Sequence, residues 1–193
     1  MSTNLRLRIR SVKCVDETGN WFAEKFGNDE IYLGGFLIDD AGNPYKLSPF
    51  SIYPHFDDGD EKKFQPAKEI FDFNLVASPG WPKNMTVGFL LFEKDAFGSA
   101  DTMCDKAFNK LKQELTNSNP NALKAVADYV LSDLYREYSD DIFTLATGSV
   151  DIPNANHTWN GSTVSPEAMV EFKGNDGRYR LYYDWELYEL ILV

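Results

Sequence analysis

Cysteine and histidine are both scarce, with two of each in 193 residues. Cys14 and Cys104 cannot build a disulfide framework, and no Cys-x-x-Cys or Cys/His cluster offers zinc its ligands. Both read as small apolar side chains of a core. His55 stands between Pro54 and Phe56, and His157 lies in the polar run from Asn154 to Gly161. Neither is accompanied by a Gly-x-Ser-x-Gly elbow, so a hydrolytic triad lacks its nucleophile. A glycine-rich phosphate loop is also missing. These absences argue against an enzyme. No apolar run approaches transmembrane length, and Met1 to Arg8 holds no signal core, which makes cytoplasmic residence the default expectation. Export by a route that needs no signal peptide is the alternative. Basic residues are outnumbered: 19 Lys and Arg stand against 30 Asp and Glu, for a formal charge of -11. Such a chain repels nucleic acid phosphates, which excludes nucleic acid as a partner. It repels an anionic membrane too, unless a bound cation reverses the local field.

Aromatic residues are plentiful at 15%, with 14 Phe, 10 Tyr and 4 Trp. They favour strands, where broad side chains pack on a pleated, half-buried surface. The length suits one domain spanning 1–193. Leu5, Leu7 and Ile9 alternate with Arg6, Arg8 and Arg10, a strand with one wet face. Further short runs cover 31–38, 45–53, 70–75, 85–92, 142–152, 168–172 and 178–190, separated by turn-rich segments. Gly174-Asn175-Asp176-Gly177 between the last two is a hairpin signal. About eight strands suffice for an antiparallel β-sandwich.

The middle of the chain follows a different period. From Met103 to Leu115, apolar residues recur every three or four positions. After Ser118, Asn119 can cap a second helix with Pro120 at its first position. Leu123, Val126, Ala127, Val130, Leu131, Leu134 and Tyr138 form its expected buried stripe. An inserted helical hairpin at about 103–138 is therefore expected, as a semi-autonomous unit covering a sheet edge or loops. Its second use would be to dock a protein partner.

Acids concentrate where a strand ends. The apolar run from Val87 to Phe92 leads into Glu93 and Asp95, which face the same side roughly 6 to 7 Å apart while strand geometry persists. Gly98 lets the chain turn, so that Asp101 can return towards them. Crowded carboxylates raise one another's pKa, and a hard cation with oxygen ligands relieves that. Asp57, Asp58, Asp60 and Glu61 form another cluster, but its spacing is not that of a helix-loop-helix calcium loop, and it reads as a solvated turn.

The stretch from Val87 to Asp101 resembles the third calcium loop of the C-two family, the eight-stranded calcium- and phospholipid-binding sandwich domains. That loop reads Asp, any residue, Asp, five residues and a further Asp; here the positions are Glu93, Asp95 and Asp101. The opening strand followed by Val15-Asp16-Glu17-Thr18-Gly19, and then Asn28-Asp29-Glu30-Ile31-Tyr32-Leu33, resembles the family's first acidic loop. Ser139-Asp140-Asp141-Ile142-Phe143 resembles its passage into the next strand. The chain departs from the family in having no Pro after Asp29 and in carrying the helical hairpin. The resemblance implies an eight-stranded antiparallel C-two-like β-sandwich, and calcium held by Asp16, Asp29, Glu93, Asp95, Asp101 and Asp141. It further implies association with an anionic membrane through that calcium. Two other readings stand beside it: a metal-free interaction or assembly sandwich, and a carbohydrate-binding sandwich, which would need exposed aromatics arranged as a platform. Trp21 and Trp159 are the loop candidates for that role, whereas Trp185 belongs to the core.

Overall fold

A computed structural model describes residues 4–16, 29–76, 80–93, 100–138, 142–174 and 177–189, with the side chain of Asp29 left out. Eight strands are present: β1 (Asn4–Asp16), β2 (Asp29–Ile38), β3 (Pro44–Phe56), β4 (Glu61–Asn74), β5 (Lys83–Glu93), β6 (Ala146–Ile152), β7 (Ala168–Gly174) and β8 (Gly177–Tyr188). They form two four-stranded sheets with orders β4-β1-β8-β7 and β3-β2-β5-β6. Every pairing is antiparallel. Between β5 and β6 lie α1 (Ala100–Thr116), α2 (Ala122–Tyr129), one π-helical turn (Val130–Leu134) and α3 (Tyr135–Tyr138).

The main core fills the space between the sheets. Leu5, Leu7 and Ile9 of β1 point into it, as their alternation requires. The register with β4 and β8 shifts between Ile9 and Ser11. A bulge of this kind changes parity, so Val12 and Cys14 rather than odd-numbered residues continue the inward set. Tyr179, Leu181, Tyr183, Trp185 and Leu187 answer from β8. On the outer face of the same sheet, Asp184 is 1% exposed and meets Arg8 Nε at 2.8 Å and Arg10 Nε at 2.7 Å.

A second core lies outside the other sheet. Phe36 of β2 and Leu90 and Phe92 of β5 point away from the sandwich interior and are covered by Met103, Cys104, Ala107 and Leu111 of α1. Val126, Val130 and Leu134 complete the cluster from the second helical segment. β5 is thus buried on both faces, which explains its almost unbroken apolar run. Gly34 allows the close approach of α1: a Cβ there would meet Pro49, Cys104 and Phe92 at 3.0 to 3.3 Å. The helical pair covers a sheet face, not an edge, and it is part of the core. The expectation that the hairpin covers a sheet edge or loops is corrected accordingly. The physical reason is the apolar second face of β2 and β5, which would otherwise meet water.

Two helical details also differ from expectation. Asn119 does not cap the helix: its Oδ1 accepts the backbone N–H of Asn121 at 2.9 Å within the preceding turn, and the cap position falls to Asn121, whose side chain makes no capping bond. Regular helix begins at Ala122. Leu131, expected inside, is 52% exposed. Leu131 lies in the π turn, where Val130 and Leu134 keep the buried positions.

Candidate functional site

Antiparallel pairing fixes which chain ends share a pole of the sandwich. Lys13 near the end of β1 pairs with Glu61 at the start of β4, and Asp29 at the start of β2 pairs with Phe56 at the end of β3. Ile31 pairs with Glu93 at the end of β5. One pole therefore gathers the end of β1, the start of β2, the β3–β4 turn and the end of β5. Asp16 is exposed there, Glu93 is half-buried, and both close their strands.

The β3–β4 turn belongs to this pole. Asp57 and Asp58 are exposed and Asp60 is half-buried. The Asp60 backbone N–H donates to the Asp57 carbonyl at 3.0 Å, and the Asp57 N–H donates to Asp60 Oδ2 at 3.2 Å. The Cys14 N–H donates to the Asp60 carbonyl at 2.9 Å, which ties the turn to β1 two residues before Asp16. Glu61, next in line, is held below the usual carboxylate range by the Ser11 hydroxyl hydrogen bond; burial opposes this, and Lys63 at 3.2 Å adds to it. By its spacing alone this cluster reads as a solvated turn. The signal that could have found it is long-range: only the register of β4 on β1 brings it beside Asp16.

Asp101 lies on the helical segment. It sits in the first turn of α1, near Lys46 of β3. Lys46 pairs with Phe36, five residues along β2 from the Ile31 position opposite Glu93, so roughly 17 Å of strand separates the two levels. The helix takes Asp101 over the outer face of the sheet because Met103 and Cys104 are drawn onto Phe36 and Phe92. Asp95 and Asp141 lie outside the described residues, as does the side chain of Asp29. Among the described residues, no three His, Cys, Asp or Glu side chains stand close enough to hold one metal ion. Asp16, Glu93 and the turn acids therefore share a pole without forming a cage by themselves.

The remaining candidates have other surroundings. Trp81 and Trp159 pack against the main core and Trp185 is 3% exposed within it, so these three form no open platform. Trp21 lies outside the described residues. His157 stacks edge-on against Trp159 with ring centroids 5.0 Å apart. His55 is exposed at the end of β3. No helix among the described residues is long and apolar enough to cross a membrane.

No family model matches the chain, and no curated protein matches it. Among solved structures it is similar to the C-two A domain of plant Extended Synaptotagmin 1, with 97% of each chain covered, 6% sequence identity and a TM-score of 0.36. A likeness at that identity and score carries no argument about ligand or partner, and the strand orders and the inserted helices define the fold on their own terms.

Proposed function

We propose that this C-two-like chain is a non-enzymatic binding module that takes up calcium at its acidic pole and, through the bound charge, associates with an anionic membrane or a protein partner. The observation that carries the reading is the convergence of Asp16, Asp57, Asp58, Asp60 and Glu93 on one pole through the strand register. In a chain of charge -11, these carboxylates repel one another, and a cation with oxygen ligands removes that cost. Asp29, Asp95 and Asp141 complete the ligand set in this reading; Asp101 leaves it, since it belongs to the helical face.

Thermal unfolding with and without calcium tests the proposal. A ligand that binds only the folded state stabilises it by RT ln(1 + [L]/Kd), about 1.4 kcal/mol at ten times the dissociation constant, which is roughly 3 to 6 °C for a domain of this size. Glu93→Gln and Asp16→Asn should each reduce the shift, and phosphatidylserine vesicles should sediment the protein only with calcium. A melting temperature unmoved by several millimolar calcium, or a shift that both substitutions leave intact, overturns the calcium reading. The metal-free interaction module would then stand. Leu131, 52% exposed, and Tyr135, 38% exposed, favour that alternative, because they lie four residues apart on the helical segment and offer an apolar contact to a protein partner.

A further inference from the structure

The opposite pole carries a different site. A cavity of about 520 Å³ opens there, bounded by the β2–β3 turn, the first residues of β3 and the last residues of β4. That volume falls within the usual range for a small-molecule pocket. Three aromatic rings line it. Phe71 and Phe73, two apart on β4, are stacked with centroids 5.8 Å apart. Tyr45 of β3 meets Phe73 edge-on at 5.3 Å and is 40% exposed. Three carboxylates, Asp39, Asp40 and Asp72, share the lining with one cation, Lys46. That cation is engaged elsewhere, with its Nζ 2.5 Å from Asp105 Oδ1.

The state of Asp39 decides what the cavity can take. Its Oδ1 accepts the backbone N–H groups of Ala41 at 2.9 Å and Asn43 at 2.8 Å. Its Oδ2 accepts Asn43 Nδ2 at 3.0 Å and the Tyr45 hydroxyl at 2.9 Å. Burial resists ionisation, but these bonds outweigh it and keep the carboxyl below its usual range. All four donors are neutral, so they fix the carboxylate without cancelling its charge. They also fill the four lone-pair positions a carboxylate has. Asp40 faces the buried Lys83 at 2.8 Å, and the Tyr188 hydroxyl donates to Asp72. A ligand is therefore offered a negative field and aromatic surface, but little open hydrogen-bonding capacity at Asp39. At Asp39 a primary ammonium or guanidinium would lose water hydrogen bonds without replacing them, which leaves Asp72 as its acceptor in the lining. A quaternary ammonium has none to lose and binds aromatic rings through charge alone.

We infer that the cavity between the β2–β3 turn and the edges of β3 and β4 binds a quaternary ammonium group. The group can come from a free choline-like molecule or from a phosphocholine lipid headgroup. The full chain in calcium-free buffer is titrated with tetramethylammonium and with choline, following backbone amide resonances. Saturable shifts confined to residues 39–46 and 71–75 are expected. Tyr45→Phe, which keeps the ring, should retain binding. Tyr45→Leu, at an exposed position that leaves the core intact, should weaken it about tenfold, the size of one cation–π contact. Vesicles of phosphatidylcholine that bind where phosphatidylethanolamine vesicles do not assign the headgroup; binding of free choline without either vesicle assigns the soluble source. No saturable shift up to roughly 100 mM, well above the range such contacts support, overturns the inference. So does an equal response to ammonium chloride, or unchanged affinity in Tyr45→Leu with the fold intact.

Discussion

Replacing residues 100–138 by a short Gly/Ser linker should destroy the fold of the whole chain, although the excised piece looks like an insertion. Phe36, Leu90 and Phe92 are fully buried beneath the helices and Ile142 is 2% exposed beside them. Each such side chain loses about 1.5 to 3 kcal/mol when returned to water, so the four together lose roughly 6 to 12 kcal/mol. A domain's entire stability is about 5 to 15 kcal/mol. The loss is not confined to the cut, because Phe36, Leu90 and Phe92 belong to the two central strands of their sheet. Milder cuts should scale down: Leu111→Ala or Leu134→Ala, both fully buried, should each cost about 2 to 5 kcal/mol. The deletion is assayed by size-exclusion chromatography and near-ultraviolet circular dichroism, and the point variants by urea denaturation. A soluble monomeric deletion variant with the wild-type aromatic signal would refute the reasoning and restore the helices as a separable unit.

Two further expectations concern charge. Asp184→Asn should destabilise the chain by about 1 to 3 kcal/mol in urea denaturation, because the carboxylate is 1% exposed while Arg10 is 43% exposed and Arg8 keeps Glu186 at 2.6 Å; a change under about 0.5 kcal/mol would mean that water replaces the carboxylate, as at an exposed pair. The Cys104 thiol is pushed up to about 11 by burial, from an ordinary value of 9.0. The unfolded chain then holds fewer protons than the native one between these values, so stability is complete below pH 9 and falls as pH rises towards 11, by about 2 to 3 kcal/mol. Cys104→Ala should flatten this part of the stability profile, and an identical alkaline slope in the variant would remove the thiol as its cause.

Local pattern made much of the architecture readable. Leu5, Leu7 and Ile9 alternate because one face of β1 is wet, and the three- to four-residue period after Met103 marks a helix whichever surface it covers. The acids at Asp16 and Glu93 were visible as strand ends. Their company was not. Asp57, Asp58 and Asp60 read as an ordinary turn until the pairing of Lys13 with Glu61 brings them beside Asp16. Asp101 reads as the natural closing ligand of a loop, but helix packing carries it away towards Lys46. The cavity at the opposite pole is assembled from residues near 40 and near 72, which no spacing rule connects.

What the sequence determined by itself is everything governed by neighbours within a turn or a strand: the strands, the helical interval, the hairpin at Gly174 and Gly177, and a strongly negative surface. Tertiary structure alone decided which acids share a pole, that β2 and β5 have two buried faces, and that the helices pack on one of them. The physical reason is range. Periodicity records which face of an element is apolar, whereas the partner covering that face is chosen by packing and register among residues far apart in the chain, such as Phe36 with Leu111.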